Sequence, residues 1–268
     1  MLHENNKQSN ILDGLNDRQK EAITTIDGPI LIIAGAGSGK TKALTHRIAY
    51  LINQNIEPTN ILAVTFTNKA ASEMKERVKN ILKETGLSVF PTISTFHSFC
   101  AKILRHEIHL LGYTNNFIIF DSNDQLSLMK KIIKNLNVNS DKFKPKTMLN
   151  AISDAKNELI DHETYEKNNE GFFEETMVKF YNEYQRELKK NNAVDFDDLI
   201  MLTVQIFQKY PQILKKYQNQ YKYILIDEYQ DTNQAQYILT KLLAQKNNNI
   251  CVVGDDWQCI YSWRKADF

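Results

Sequence analysis

PILIIAGAGSGKTKALTHRIAYLI, residues 29–52, passes from an apolar run through a glycine-rich turn into a helical pattern. The run PILIIAG (29–35) suits a buried strand. The turn AGAGSGKT (34–41) is followed by KALTHRIAYLI, whose apolar residues recur at helical spacing. Strand, glycine turn and helix in that order are the context that makes such a turn a phosphate-binding loop. Glycine at 35, 37 and 39 lets backbone N–H groups curl around phosphate oxygens without side-chain obstruction. The strict pattern opens on glycine; Ala34 takes that place here. The cradle is therefore Ala34, Gly35, Ala36, Gly37, Ser38 and Gly39, with Lys40 reaching the β- and γ-phosphates and the Thr41 hydroxyl binding Mg²⁺. The alternative is a strand–helix turn without a ligand. It would leave a buried lysine at a helix N-terminus with no anion beside it, which is unfavourable.

Working outward, further apolar strands are expected at NILAVTF (60–66) and TISTF (92–96). Between them TNKAASEMKERVKNILKE carries Ala70, Ala71, Met74, Val78, Ile81 and Leu82 at helical spacing. Strands alternating with helices imply an α/β fold, a parallel sheet with helices on both faces. From about 121 to 194 the pattern is almost wholly helical. NDQLSLMKKIIKNL puts Leu126, Met129, Ile132, Ile133 and Leu136 on one face. ETMVKFYNEYQRELKK does the same with Met177, Phe180, Tyr181, Tyr184 and Leu188. Strands resume at YKYILIDEY (221–229) and NICVVGD (249–255). An all-helical subdomain is thus expected inside a parallel α/β domain.

The strand YILI ends in Asp227 and Glu228. Carboxylates at the C-terminal end of a parallel strand lie beside the phosphate loop in such a sheet. Asp227 can hold Mg²⁺ directly or through water, and Glu228 can take a proton from an attacking water. Adjacent acids at a strand end can also be a solvated helix cap. Paired with the phosphate loop, they make the chain a nucleoside triphosphatase candidate.

Composition sets the bounds. The chain has 268 residues, 42% apolar and 24% charged, enough for a sizeable core. Net charge is +1, so a polyanion must be held by a local basic surface. Cys100, Cys251 and Cys259 show no zinc-ligand spacing, which fits a reduced, cytoplasmic protein. MLHENNKQSN at the N-terminus has no apolar core, and no apolar run reaches membrane-spanning length, so neither export nor a membrane partner is expected.

In order along the chain, LNDRQ, AGAGSGKT, TFTNKAA (65–71), TFHSFC (95–100), VDFDDL (194–199), LIDEYQDTN and VGDDWQCIYSWRKAD resemble the motifs of UvrD/Rep/PcrA-type superfamily 1 DNA helicases. The resemblance covers the amino-terminal half of that family. It implies a RecA-like P-loop domain over 1–115 and 195–268, with a helical subdomain inserted at 116–194. It implies ATP contacts by Gln19, which would read the adenine edge, and by Lys42, Gln230, Gln258 and Arg264. Gln258 would sense the γ-phosphate and report it to the DNA groove, beside the catalytic set Lys40, Asp227 and Glu228. Single-stranded DNA would run over Thr65, Phe66, Asn68, His97, Tyr261 and Trp263, in a single-stranded or tailed duplex substrate opened with 3′–5′ polarity. Phe96, next to an apolar strand, reads as core, and His97 taken alone could be a buried histidine. Lys42 departs from the arginine common there, and a lysine lacks the planar fork for nucleotide contacts.

A second RecA-like domain with motifs IV–VI follows in that family, so the resemblance implies an N-terminal fragment that would not unwind alone, with an exposed strand edge and apolar face. Its C-terminal half could be encoded separately. An ATP- and DNA-binding module from a split or decayed gene is the other reading. An unrelated P-loop kinase would leave TFTNKAA and TFHSFC unexplained.

Overall fold

The computed structural model describes residues 11–35, 37–83, 89–138, 142–168 and 172–255. In chain order these form α1 (Asp17–Thr24), β1 (Ile30–Ile33), α2 (Lys40–Asn53), β2 (Ile61–Thr65), α3 (Asn68–Ile81), β3 (Thr92–Thr95) and α4 (Phe96–Glu107). There follow β4 (Ile118–Ile119), α5 (Ser122–Asn135), α6 (Pro145–Asn157), α7 (His162–Asn168), α8 (Phe172–Lys190) and β5 (Ala193–Val194). Last come α9 (Phe196–Lys209), α10 (Pro211–Gln220), β6 (Tyr223–Ile226), α11 (Gln234–Ala244) and β7 (Ile250–Gly254).

The main sheet has five strands in the order β1-β7-β6-β2-β3. Every pairing is parallel. Ile33 stands opposite Gly254, Val64 opposite Ile226, and Thr65 opposite Thr95. Because the strands share a direction, every loop that follows a strand emerges at one edge of the sheet. The chain leaves β1 and re-enters at β2, with β7 and β6 between. That reversal opens the crevice in which such sheets bind ligands.

Two cores sandwich the sheet. Leu44, Ile48, Leu51, Met74 and Val78 of α2 and α3 cover one face with Ala63 and Leu225. Phe99, Ile103, Leu104, Val204, Phe207 and Leu239 of α4, α9 and α11 cover the other. Cys100 and Cys251 are free thiols buried in these cores. On β1, at the end of the strand order, the alternation leaves Leu31 and Ile33 58% and 56% exposed.

Helices α5, α6 and α8 pack around a core of their own, with Met129, Ile133, Ile152, Phe180 and Tyr184 at its centre. Met177, Phe180, Tyr181, Tyr184 and Leu188 are all buried, as their spacing predicts. On α5 the apolar face shifts: Leu128 is buried and Leu126 only half-buried. The sequence pattern holds no sign of β4 and β5. These two-residue strands pair in parallel, Ile118 with Ala193 and Ile119 with Val194, and bring the entry and exit of the helical segment together.

The strands are shorter than their apolar runs. β6 stops at Ile226, and two residues on Glu228 turns into the left-handed region, φ 52° and ψ 46°. A glutamate held there is strained, and such strain gathers at functional sites. Among the described residues no helix is long and apolar enough to cross a membrane.

Candidate functional site

The glycine turn begins where β1 ends. Ala34 N–H donates to the Gly254 carbonyl at 3.0 Å, and Ser38 Oγ donates to the Gly35 carbonyl at 2.6 Å. Gly39 sits at φ 88°, a conformation that favours glycine, and a Cβ there would stand 3.0 Å from Gln19 Nε2. Gln19 is brought to this loop as expected. Its Nε2 donates to the Ser38 carbonyl at 3.0 Å, while its Oε1 accepts from Asn16 N–H and closes a capping box on α1. The contact seen for Gln19 is therefore to the loop itself. Lys42 turns away from the cradle and donates to the Gly14 carbonyl at 2.7 Å. Buried Arg47 of α2 donates to the carbonyls of Ala22, Ile23, Thr25 and Ile26, tying α1 to the loop's own helix.

Lys40, the first residue of α2, is 9% exposed. A lysine buried at a helix start calls for an anion beside it. The protein supplies one: Asp255 Oδ2 lies 3.1 Å from Lys40 Nζ, with Glu228 Oε2 at 3.8 Å. Thr41 Oγ1 donates to Asp227 Oδ2 at 3.4 Å. Asp227 is 3% exposed, and its carboxyl is pushed up to about 6, first by burial and then by the charge of Glu228. A hydroxyl and a carboxylate converging beside a phosphate loop are hard oxygen donors of the kind Mg²⁺ takes, and a cation would favour the ionised carboxylate. Gln230, buried, donates from Nε2 to Glu228 Oε2 at 2.8 Å and accepts Asp255 N–H at 3.0 Å.

A cleft of about 250 Å³ runs from Thr41, Asp227 and Glu228 to Thr65, Phe66 and Thr67. Thr65 is buried, its hydroxyl donating to the Thr67 carbonyl at 3.1 Å, so it holds the turn from beneath. Phe66 is half-buried and meets Phe96 edge to face at 5.7 Å. Phe96 is 3% exposed and belongs to the core, as expected. Asn68 is exposed at the first position of α3, after the Thr67 cap. His97 is half-buried, and its ring lies 5.6 Å from that of Phe196, which is 49% exposed. Phe196 was missed by sequence reasoning. The signal was an aromatic between Asp195 and Asp197, where a helix start favours polar residues. Ala36, Gln258, Tyr261, Trp263 and Arg264 lie outside the described residues.

A phosphate loop, an acidic strand end and an aromatic pair thus share one edge of a parallel sheet. A family model described as the UvrD/REP helicase N-terminal domain matches residues 15–268. The chain belongs to that family. Among curated relatives of this UvrD/REP chain, it is 52% identical over 258 residues to the ATP-dependent DNA helicase PcrA of Bacillus subtilis (strain 168). It is 50% identical over the same length to the proteins of that name from Staphylococcus aureus (strain Mu50) and Staphylococcus epidermidis. Each match covers 96% of this chain and 35% of the relative. The chain therefore spans about a third of the length of the curated relatives it matches.

Proposed function

We propose that this chain is the nucleotide-binding part of a PcrA-like, ATP-dependent DNA helicase, in which ATP hydrolysis drives movement along single-stranded DNA and opens duplexes with 3′–5′ polarity. Residues 1–115 and 195–268 form its RecA-like unit and 116–194 the inserted subdomain. The loop from Ala34 to Gly39 wraps the phosphates with backbone N–H groups, and Lys40 meets the β- and γ-phosphates. Thr41 and Asp227 would hold Mg²⁺, which would supply charge neutralisation to the phosphates. Glu228 accepts the proton of the attacking water. Gln230 orients Glu228 through its 2.8 Å hydrogen bond. Gln19 steadies the loop from the adenine side, and Gln258 and Arg264 complete the nucleotide contacts.

Phe66, Asn68, His97, Tyr261 and Trp263 line the DNA track, and the exposed ring of Phe196 extends it. Stacking accepts any base, as a motor must, and contributes roughly 1–3 kcal/mol per base. The observation that carries the proposal is a single cleft lined by Asp227, Glu228 and Phe66, which supports coupling between the residues assigned to nucleotide and one assigned to DNA. The test is titration of the 268-residue chain with a fluorescent ATP analogue and Mg²⁺. Binding should be present in the wild type and lost in Lys40→Ala. Equal affinity in the two would overturn the phosphate-loop assignment.

A further inference from the structure

Asp255 follows β7 directly and is 2% exposed. It closes a ring of four residues through its carboxylate and its backbone N–H. Asp255 Oδ2 is 3.1 Å from Lys40 Nζ. Asp255 N–H donates to Gln230 Oε1 at 3.0 Å. Gln230 Nε2 donates to Glu228 Oε2 at 2.8 Å, and that oxygen lies 3.8 Å from Lys40 Nζ. The ring joins the phosphate loop, the acidic end of β6 and the end of β7.

The ammonium that should meet phosphate is therefore already paired, inside the protein, with a carboxylate. Both partners are buried, so water screens the pair weakly. A phosphate entering the loop must draw the same ammonium toward itself. We propose that Asp255 is a positioning residue that holds Lys40 while no nucleotide is bound and yields it to the β- and γ-phosphates, so that nucleotide binding works against this pair. The proposal rests on the assignment of Lys40 to the phosphates. It predicts a result opposite to that of a supporting residue. When part of a protein is held in a form that cannot bind, its apparent affinity falls by the competent fraction, and removing the hold restores it.

The test is calorimetric titration of the wild-type chain, Asp255→Asn, Lys40→Ala and the double variant with a non-hydrolysable ATP analogue and Mg²⁺. Asp255→Asn keeps the shape and removes the charge. It should bind about tenfold more tightly than wild type, while its ligand-free melting temperature falls because Lys40 loses a partner. In the Lys40→Ala background, where binding is lost, the same change should restore none. Equal or weaker binding by Asp255→Asn overturns the proposal, as a residue that merely supports the site or holds the metal would give. If wild type itself does not bind, the phosphate-loop assignment fails instead. Should Asp255→Asn not fold, the wild-type crystal structure with the analogue decides. Lys40 Nζ should then lie beyond about 4 Å from Asp255, a distance past any ion pair; a pair kept as it stands without nucleotide overturns the proposal.

Discussion

Lys156 Nζ lies 2.7 Å from Asp195 Oδ2, in a site where the lysine has no exposed surface at all. Asp198 Oδ1 is 2.8 Å from the same nitrogen, and Tyr184 Oη donates to Asp195 at 3.2 Å. Lys156 is on α6, one of the helices that share a core of their own, and the two acids cap and open α9, which packs on the sheet. The triad is thus a joint between the helical segment and the α/β core. A second tie runs beside it, from Asn233 Nδ2 to Asn157 Oδ1 at 2.6 Å.

Removing one partner of a buried ion pair leaves charge in a poor solvent and costs roughly 3–5 kcal/mol. Lys156→Met should therefore lower stability by about that amount, and the loss should depend on pH. The Asp198 carboxyl is raised from its ordinary 3.8 to about 6 by burial and by the Asp195 charge, with Lys156 opposing. A carboxyl raised on folding binds its proton more tightly in the folded state, so its contribution to stability falls as pH climbs through that range. Without Lys156 the opposition is gone and Asp198 rises further. Chemical denaturation should show a smaller penalty for Lys156→Met near pH ~5.5 than near pH ~8. A penalty equal at both values would mean that the joint acts through packing rather than charge.

The buried guanidinium of Arg47 supports a second prediction. Its four carbonyl acceptors come from the C-terminal end of α1 and the turn after it. α1 carries Gln19 to the glycine loop. Arg47→Met should cost on the order of 3 kcal/mol, because hydrogen bonds to a charged donor are lost and the carbonyls stay buried. Nucleotide affinity should fall as well, because α1 no longer fixes Gln19. Normal affinity with lowered stability would show that Gln19 has no part in holding the loop.

A third prediction concerns the proton acceptor. Glu228→Gln keeps the shape of the side chain and its approach to Gln230. If Glu228 takes the proton from water, any ATPase the chain shows should drop by roughly 10²–10⁴ while binding of the ATP analogue persists. Steady-state turnover and equilibrium titration, run on the same preparation, separate the two. Unchanged turnover would place the base elsewhere.

Local patterns expose much of this in the sequence. The glycine loop, the acid pair and the apolar strands depend on neighbours in the chain, so residues 34–41 and 227–228 are legible from the sequence alone. What is not legible depends on distant partners. The anion beside Lys40 comes from Asp255, far along the chain, and only the β1–β7 pairing brings them together. β4 and β5, two residues each, are too short to show a period of two. Phe196 reads as part of a helix start because its ring partner, His97, lies about a hundred residues earlier in the chain.

That last contact carries the final prediction. Phe196 is 49% exposed and stands beside His97, which follows β3 at the same edge of the sheet as Phe66. An exposed aromatic propped by a second ring is costly in water and suited to stacking on a base. Phe196→Ala should weaken binding of oligo-dT by a factor of about 5 to 150, the range that roughly 1–3 kcal/mol of stacking represents. A phenyl ring carries no charge to set against phosphate, so the slope of affinity against salt concentration should stay as in wild type. Changing a lysine that meets the backbone should instead reduce that slope. Fluorescence anisotropy at several salt concentrations gives both quantities from one series. His97→Ala should show part of the same loss, and the double variant less than the sum, because the two rings support each other. Additive losses would make them independent contacts. Oligo-dT affinity unchanged in Phe196→Ala would take Phe196 out of the DNA track.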